Sequence, residues 1–224
     1  MSAIGCVAER TAAPAPRTAT AGGRTLRRLC QLYAGLVGFG VSLALMVEAR
    51  LGLGPWDVLH QGVARLLGVQ IGWVVIATGA VVMLAWIPLR VRPGIGTLSN
   101  IVVVGLVVNA ALDVLPSPGT IAVRAAFLAL GVLANGFSTG LYIGAGLGPG
   151  PRDGLMTGLA RRGLSIRLAR TAVELAVLVV GFLLGGAVGV GTVAYALLIG
   201  PLAHYFLPRL TVTARLASPE EVVA

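Results

Sequence analysis

Six long apolar runs dominate the chain, at residues 29–49, 71–89, 95–115, 125–147, 168–186 and 190–207. Each approaches the ~20 residues with which a helix crosses ~30 Å of hydrocarbon. Their Val and Ile content would suit strands in water, but their length, and the lack of alternating apolar and polar positions, selects helix over a membrane barrel. A helix also satisfies its backbone N–H and C=O groups internally, as lipid demands. The pattern predicts an all-α membrane protein with six transmembrane helices. A disordered cytoplasmic tail is expected over residues 1–25 and a polar cytoplasmic tail over 211–224.

The runs are not independent. Sliding the chain by 96 residues aligns the stretch 35–65 with 131–161 at 14 identical positions of 31, from Gly35 and Gly131 to Arg65 and Arg161. After a one-residue deletion, Gly68, Ile71, Gly94, Gly96, Thr97, Gly105 and Leu112 match Gly163, Ile166, Gly189, Gly191, Thr192, Gly200 and Leu207. Self-similarity of this kind marks a duplicated unit. The two repeats, residues 26–115 and 122–210, hold three expected spans each. An odd number turns the second repeat over relative to the first. Inverted repeats place the pathway between the halves in many secondary transporters.

Between the first two spans of each repeat lies a shared motif, Leu51-Gly-Leu-Gly-Pro-Trp-Asp57 and Leu147-Gly-Pro-Gly-Pro-Arg-Asp153. Glycines permit a tight turn, proline at the first helical position costs no hydrogen bond, and an aspartate two residues later faces the positive helix end. The motif therefore starts a short helix. Asp57, Gln61 and Arg65 form an i, i+4, i+8 stripe along it, mirrored by Asp153, Thr157 and Arg161, and these six are the candidate pathway residues. Trp56, His60, Arg152 and Glu174 form a second rank. Two readings of the short helices stand open. As re-entrant elements they would dip from opposite faces and line a pathway. As interfacial connectors they would lie flat, with Trp56 at headgroup depth.

Other polar residues have plainer uses. Glu174 lies four residues beyond Arg170, the spacing of a helical ion pair. Asn100, Asn109 and Asn135 suit interhelical hydrogen bonds, and Gly-Ile-Gly-Thr97 and Gly-Val-Gly-Thr192 suit a turn with a threonine cap. Gly136, Gly140, Gly144 and Gly148 form a smooth stripe for close helix approach, matched by Gly40, Ala44, Glu48 and Gly52 in the first span. The expected partner is the pseudo-equivalent span, with a homodimer through the stripe as the alternative. His60 and His204 stand apart from any ligand-spaced cluster, and no catalytic arrangement is recognisable, so neither metal, cofactor nor enzymatic activity is expected.

Composition agrees with the apolar runs. The 224 residues are 57% hydrophobic and 11% charged, against ~25% charged in soluble domains. The net charge of +9 comes from 17 basic residues, all arginine, and 8 acidic ones. In a soluble chain it would suggest nucleic acid. Here alternating spans put 14 arginines on the side of the N-terminus and leave Arg50, Arg65 and Arg124 on the other. The charge therefore records topology and argues for both termini in the cytoplasm and against a nucleic-acid partner.

The strings Gly52-Leu-Gly-Pro-Trp-Asp-Val-Leu-His-Gln-Gly62, Arg92-Pro-Gly-Ile-Gly-Thr97 and residues 141–161 resemble the YczE/YyaS/YitT family of bacterial integral membrane proteins, most closely its YczE-like branch. The resemblance covers about residues 27–210 and implies a multi-span protein of the bacterial cytoplasmic membrane, with no settled activity. Two functions are in view: a carrier or channel for a small solute, or a non-transporting accessory protein that binds another membrane or biosynthetic protein. The topology is directly testable. In a background lacking Cys6 and Cys30, a cysteine at Ala187 should react with a membrane-impermeant thiol reagent from outside the cell. Labelling only from the cytoplasmic side would contradict the inverted repeat.

Overall fold

The computed structural model describes residues 21–212 except Leu164, together with all but five of their side chains. Among the described residues eight helices follow one another: α1 (Ala21–Ala49), α2 (Pro55–Leu67), α3 (Ile71–Leu89), α4 (Ile95–Val114), α5 (Ile121–Gly144), α6 (Pro151–Ala160), α7 (Ile166–Leu183) and α8 (Val190–Leu210). No strand occurs among the described residues. Helix α1 takes in residues 21–25, assigned above to the tail; residues 1–20 and 213–224 lie outside the described part. Five helices, α1, α3, α4, α5 and α8, are long and apolar enough to cross a membrane. The other expected span, α7, has 18 residues but carries Arg167, Arg170 and Glu174 in its first half.

The centre of the molecule is the antiparallel pair α1 and α5. Gly35 lies against Tyr142 and Leu141, Gly38 against Ser138, and Gly131 against Ser42 and Met46, so close backbone approach runs along the whole pair. Each end is fastened by an arginine. Arg28 Nε donates to Ala145 O (2.7 Å), and Arg124 Nε donates to Ala49 O (2.8 Å). These guanidinium groups satisfy carbonyls left free where the partner helix stops. Arg28 and Arg124 are 96 residues apart, as are Ala49 and Ala145, so the repeat extends upstream of the aligned stretch.

The outer helices follow the same duplication. α4 packs on α1 and α8 on α5, while α2 packs chiefly on α7 and α6 on α3, so each short helix rests on the other repeat. The glycine stripe of α5 is therefore filled differently from the expectation. Gly136 faces Leu202, Gly140 faces Phe206, and Gly144 faces Leu210, all on α8. Its counterpart Gly40 faces Val104 and Val107 of α4. The stripe holds a neighbour within the repeat, because the α1–α5 contact uses another face, and no free glycine surface remains there for a homodimer.

The duplication is broken where the second and third long helices of each repeat meet. α3 and α4 pack along their length, whereas α7 and α8 do not pack against each other. A Cβ on Gly105 would come within 2.5 Å of Gly72 O and of Ile76, but one on its equivalent Gly200 would meet nothing within 4 Å. Gly105→Ala should accordingly lower stability by about 1–3 kcal/mol through overpacking, while Gly200→Ala leaves it unchanged. Thermal unfolding of the two variants in detergent checks this; equal effects would contradict the open α7–α8 gap.

Candidate functional site

Both motif helices begin as their sequence dictates. Pro55 and Pro151 occupy the first helical position after extended Gly54 and Gly150. Gly52 and Gly148 take φ of 108° and 131°, a region that only glycine enters without strain. They also need the missing side chain for space: a Cβ on Gly52 would lie 2.6 Å from Gly189 N, and one on Gly148 would lie 3.0 Å from Thr97 Oγ1. Each turn is thus seated on the Gly-x-Gly-Thr segment of the other repeat. Gly96 N donates to Leu147 O (2.9 Å) and Gly191 N to Leu51 O (2.7 Å). Thr97 Oγ1 accepts from Gly94 N, the expected cap, and donates to Pro149 O (2.7 Å). Thr192 caps Gly189 in the same way.

The consequence is geometric. Ala49 and Ala145 lie at opposite ends of the α1–α5 pair, some 21 residues or about 32 Å apart along α1 at 1.5 Å per residue. Yet eight residues after Ala49 and seven after Ala145, Asp57 and Arg152 touch: Arg152 Nη2 donates to Asp57 Oδ1 at 3.1 Å. Both segments therefore turn back from the ends of the pair toward its middle, where the N-termini of α2 and α6 meet. Trp56 is only 6% exposed, with Arg152 stacked 5.1 Å from its ring centroid. That burial corrects the interfacial expectation for Trp56: its ring is enclosed by the chain.

Around this meeting point lies a cavity of about 510 Å³ to which all eight helices contribute. Its deep end holds Asp57, 1% exposed, and His60, 2% exposed, with His60 Nδ1 3.4 Å from Asp57 Oδ1. Asp153, half-buried, accepts from the Tyr142 hydroxyl at 3.1 Å. Arg170 and Glu174, at 57% and 36% exposure, form their i, i+4 pair at 3.0 Å where the cavity reaches the α7–α8 gap. The wall between these groups is largely apolar, with Val75, Val82, Ile101, Val104, Met156 and Ile199.

The ten candidate residues divide cleanly. Asp57, Asp153 and Thr157 of the two stripes line the cavity, as do all four of the second rank, Trp56, His60, Arg152 and Glu174. Gln61 and Arg65 do not: Gln61 Oε1 accepts from Ala187 N (2.7 Å) and Arg65 donates to Gly185 O, so they hold the α7–α8 connection. Arg161 is exposed at the end of α6. The stripe turns away from the cavity after its first turn because α2 packs its other positions onto α7. Tyr142 and Tyr195 were not anticipated. Tyr195 donates to Asn135 Oδ1 (3.1 Å), and Asn135 Nδ2 to Ser42 Oγ (2.9 Å), tying α8 to α5 and α1. Tyr195 aligns with Asn100 at the offset of 95, and a polar residue at both copies of an intramembrane position was the available signal. Asn109 also makes an interhelical bond, accepting from Gly72 N at 2.7 Å.

Comparison with known proteins supports the membrane assignment. Residues 26–208 match a family described as "Family of unknown function (DUF6198)". An uncharacterized protein of Haemophilus influenzae is 44% identical over 75% of this chain and 78% of its own length. The uncharacterized membrane protein YczE of Bacillus subtilis is 34% identical over 79% and 84%, and YyaS of the same organism 24% identical over 78% and 89%. No solved structure matches. Together with the five apolar helices, these matches make this a membrane protein.

The Asp57–Arg152 pair yields a stability prediction. Asp57 is 1% exposed, and removing the partner of a buried charge typically costs about 3–5 kcal/mol. Arg152→Gln should therefore destabilise the protein strongly, and adding Asp57→Asn should recover part of the loss. A thermodynamic cycle from unfolding in detergent measures it; additive effects would mean that the two groups do not interact.

Proposed function

Since the chain belongs to the family of unknown function DUF6198, its activity has to be read from the site itself, and we propose that it is a carrier that moves a small solute through the central cavity. It has six spans, with α7 as the sixth, arranged as two inverted three-span repeats, residues 26–115 and 122–210. Both termini face the cytoplasm of a bacterial cell, and α2 and α6 are re-entrant. The observation that carries this reading is the contact of Asp57 with Arg152. Two motif helices entering from opposite ends of α1 and α5 meet beside an ionised cavity, the arrangement by which discontinuous helices form midplane sites.

Several features support it. Intramembrane ionisable groups are costly and mark function by default, and this cavity gathers three carboxylates and two guanidinium groups. α7, poor as an isolated span, can cross lipid if Arg170 and Glu174 face the cavity and not the hydrocarbon. The packed α3–α4 pair and the separated α7–α8 pair differ as the two gates of a carrier differ in one of its states. A non-transporting accessory protein would have no use for a buried ionised chamber.

Purified protein in sealed liposomes should accelerate exchange of at least one labelled solute from a panel of amino acids, amines and organic acids. Asp57→Asn combined with Arg152→Gln should slow it at least about tenfold, equivalent to 1.4 kcal/mol, while the protein remains folded. Exchange at the rate of empty liposomes across the whole panel would refute the carrier reading.

A further inference from the structure

The cavity has two features that the carrier reading leaves unused, a carboxyl group without an ion-pair partner and an opening between α7 and α8. Its ionised groups pair as Asp57 with Arg152 and Glu174 with Arg170. Asp153 is left over: among the described residues it has no ion-pair partner, and its Oδ2 takes the neutral Tyr142 hydroxyl. A ligand that completes this site brings a positive charge.

Hydrogen bonding narrows the class further. Quaternary ammonium groups are held by cages of open aromatic faces, but here the Trp56 ring carries the Arg152 guanidinium and Phe39 and Tyr142 pack edge to face on each other, which leaves Tyr195 without a second open ring to form a cage. What Asp153 still offers is carboxylate lone pairs, which reward a cation that bears N–H donors.

The opening comes from the break in pseudo-symmetry. Where α3 and α4 are joined at Gly72 and Gly105, α7 and α8 stand apart, and Gly200 borders open space within the cavity lining. Arg170 and Glu174 stand on one side of this gap, and Ala196, Ile199 and Ala203 on the other. Beyond it the two helices expose Leu175, Val179 and Phe182 on α7 and Leu197 and Leu198 on α8, surfaces suited to acyl chains. Ions at the mouth and hydrocarbon-compatible walls alongside form a passage for a molecule with a charged head and an apolar tail.

Resting on the carrier reading of the cavity, we propose that the ligand is an amphiphile with a primary-amine head, which enters sideways from the bilayer between α7 and α8. Its ammonium binds Asp153, and its tail remains in the gap beside Gly200. An aminophospholipid and a free long-chain amine share this chemistry.

Native mass spectrometry of the full chain in detergent, with four added probes, tests the assignment. Phosphatidylethanolamine or dodecylamine should bind at least about tenfold more tightly than phosphatidylcholine, a difference of 1.4 kcal/mol. Binding of both would show that the amine and tail suffice; binding of phosphatidylethanolamine alone would identify a lipid. Asp153→Asn should abolish the preference. Gly200→Phe, which fills open space and so preserves the fold, should weaken the tailed probes and spare the fourth, ethanolamine. Ethanolamine binding without the tailed probes would overturn lateral entry and leave the carrier reading standing, as would a protein dimer that Gly200→Phe dissociates. Failure of every amine to bind would overturn the ligand assignment, and only inactivity in the liposome exchange assay as well would remove the carrier.

Discussion

Leu51 and Leu147 present carbonyl groups that no helix of their own can use, and the amides of Gly191 and Gly96 satisfy them across the repeats. This exchange is the constraint on which the rest depends. A backbone group buried without a partner is costly, and each turn is packed against the Gly-x-Gly-Thr segment of the other repeat, which supplies that partner. The reciprocal packing of α2 on α7 and α6 on α3 follows, because a turn seated on the other repeat delivers its helix there. The meeting of Asp57 with Arg152 is the last consequence of two such turns directed inward.

The same logic explains what could be read from the chain. Helix α3 coincides with its apolar run at 71–89, and both motif helices start at the proline that the sequence marks. Local chemistry decides these features, and local chemistry is written consecutively. The partner of the glycine stripe was not written that way. Spacing of four residues shows that some helix approaches α5, but only three-dimensional packing selects α8 over α1. Gln61 and Arg65 belong to the same class. Their periodicity with Asp57 is real, yet a helix resting on α7 turns that stripe from the cavity to the α7–α8 connection within two turns. Conversely, Arg28 and Arg124 were in plain view at the repeat offset. Arginine near a span end reads as a topology signal, and that general explanation conceals the specific one of capping the antiparallel neighbour.

Duplication supplied a symmetric frame, but the chemistry inside it is not symmetric. Cavity positions come in equivalent pairs: Val75 with Arg170, Gly79 with Glu174, Asn100 with Tyr195, and His60 with Met156. On the helices after the motifs, the ionised members belong to the second repeat alone. For a carrier with two states, this asymmetry ranks them. To close α7 on α8 as α3 is closed on α4, Arg170 and Glu174 would have to leave a mouth where both are now partly exposed. Desolvating an ion pair opposes that movement, since the lost hydration can exceed the gain in Coulomb attraction. On the proposed carrier reading, the empty protein should rest with this side open, and closure requires a ligand whose binding differs between the two states by enough to offset the cost. A charged head that engages Asp153 beside Arg170 could supply the difference, because it adds a third charge to the pair as water leaves. The glycines that let α3 meet α4 have a counterpart only in Gly200 on α8, and Gly72 aligns with Arg167. On the proposed carrier reading, the second gate therefore closes less tightly than the first, and the α7–α8 side is the entrance.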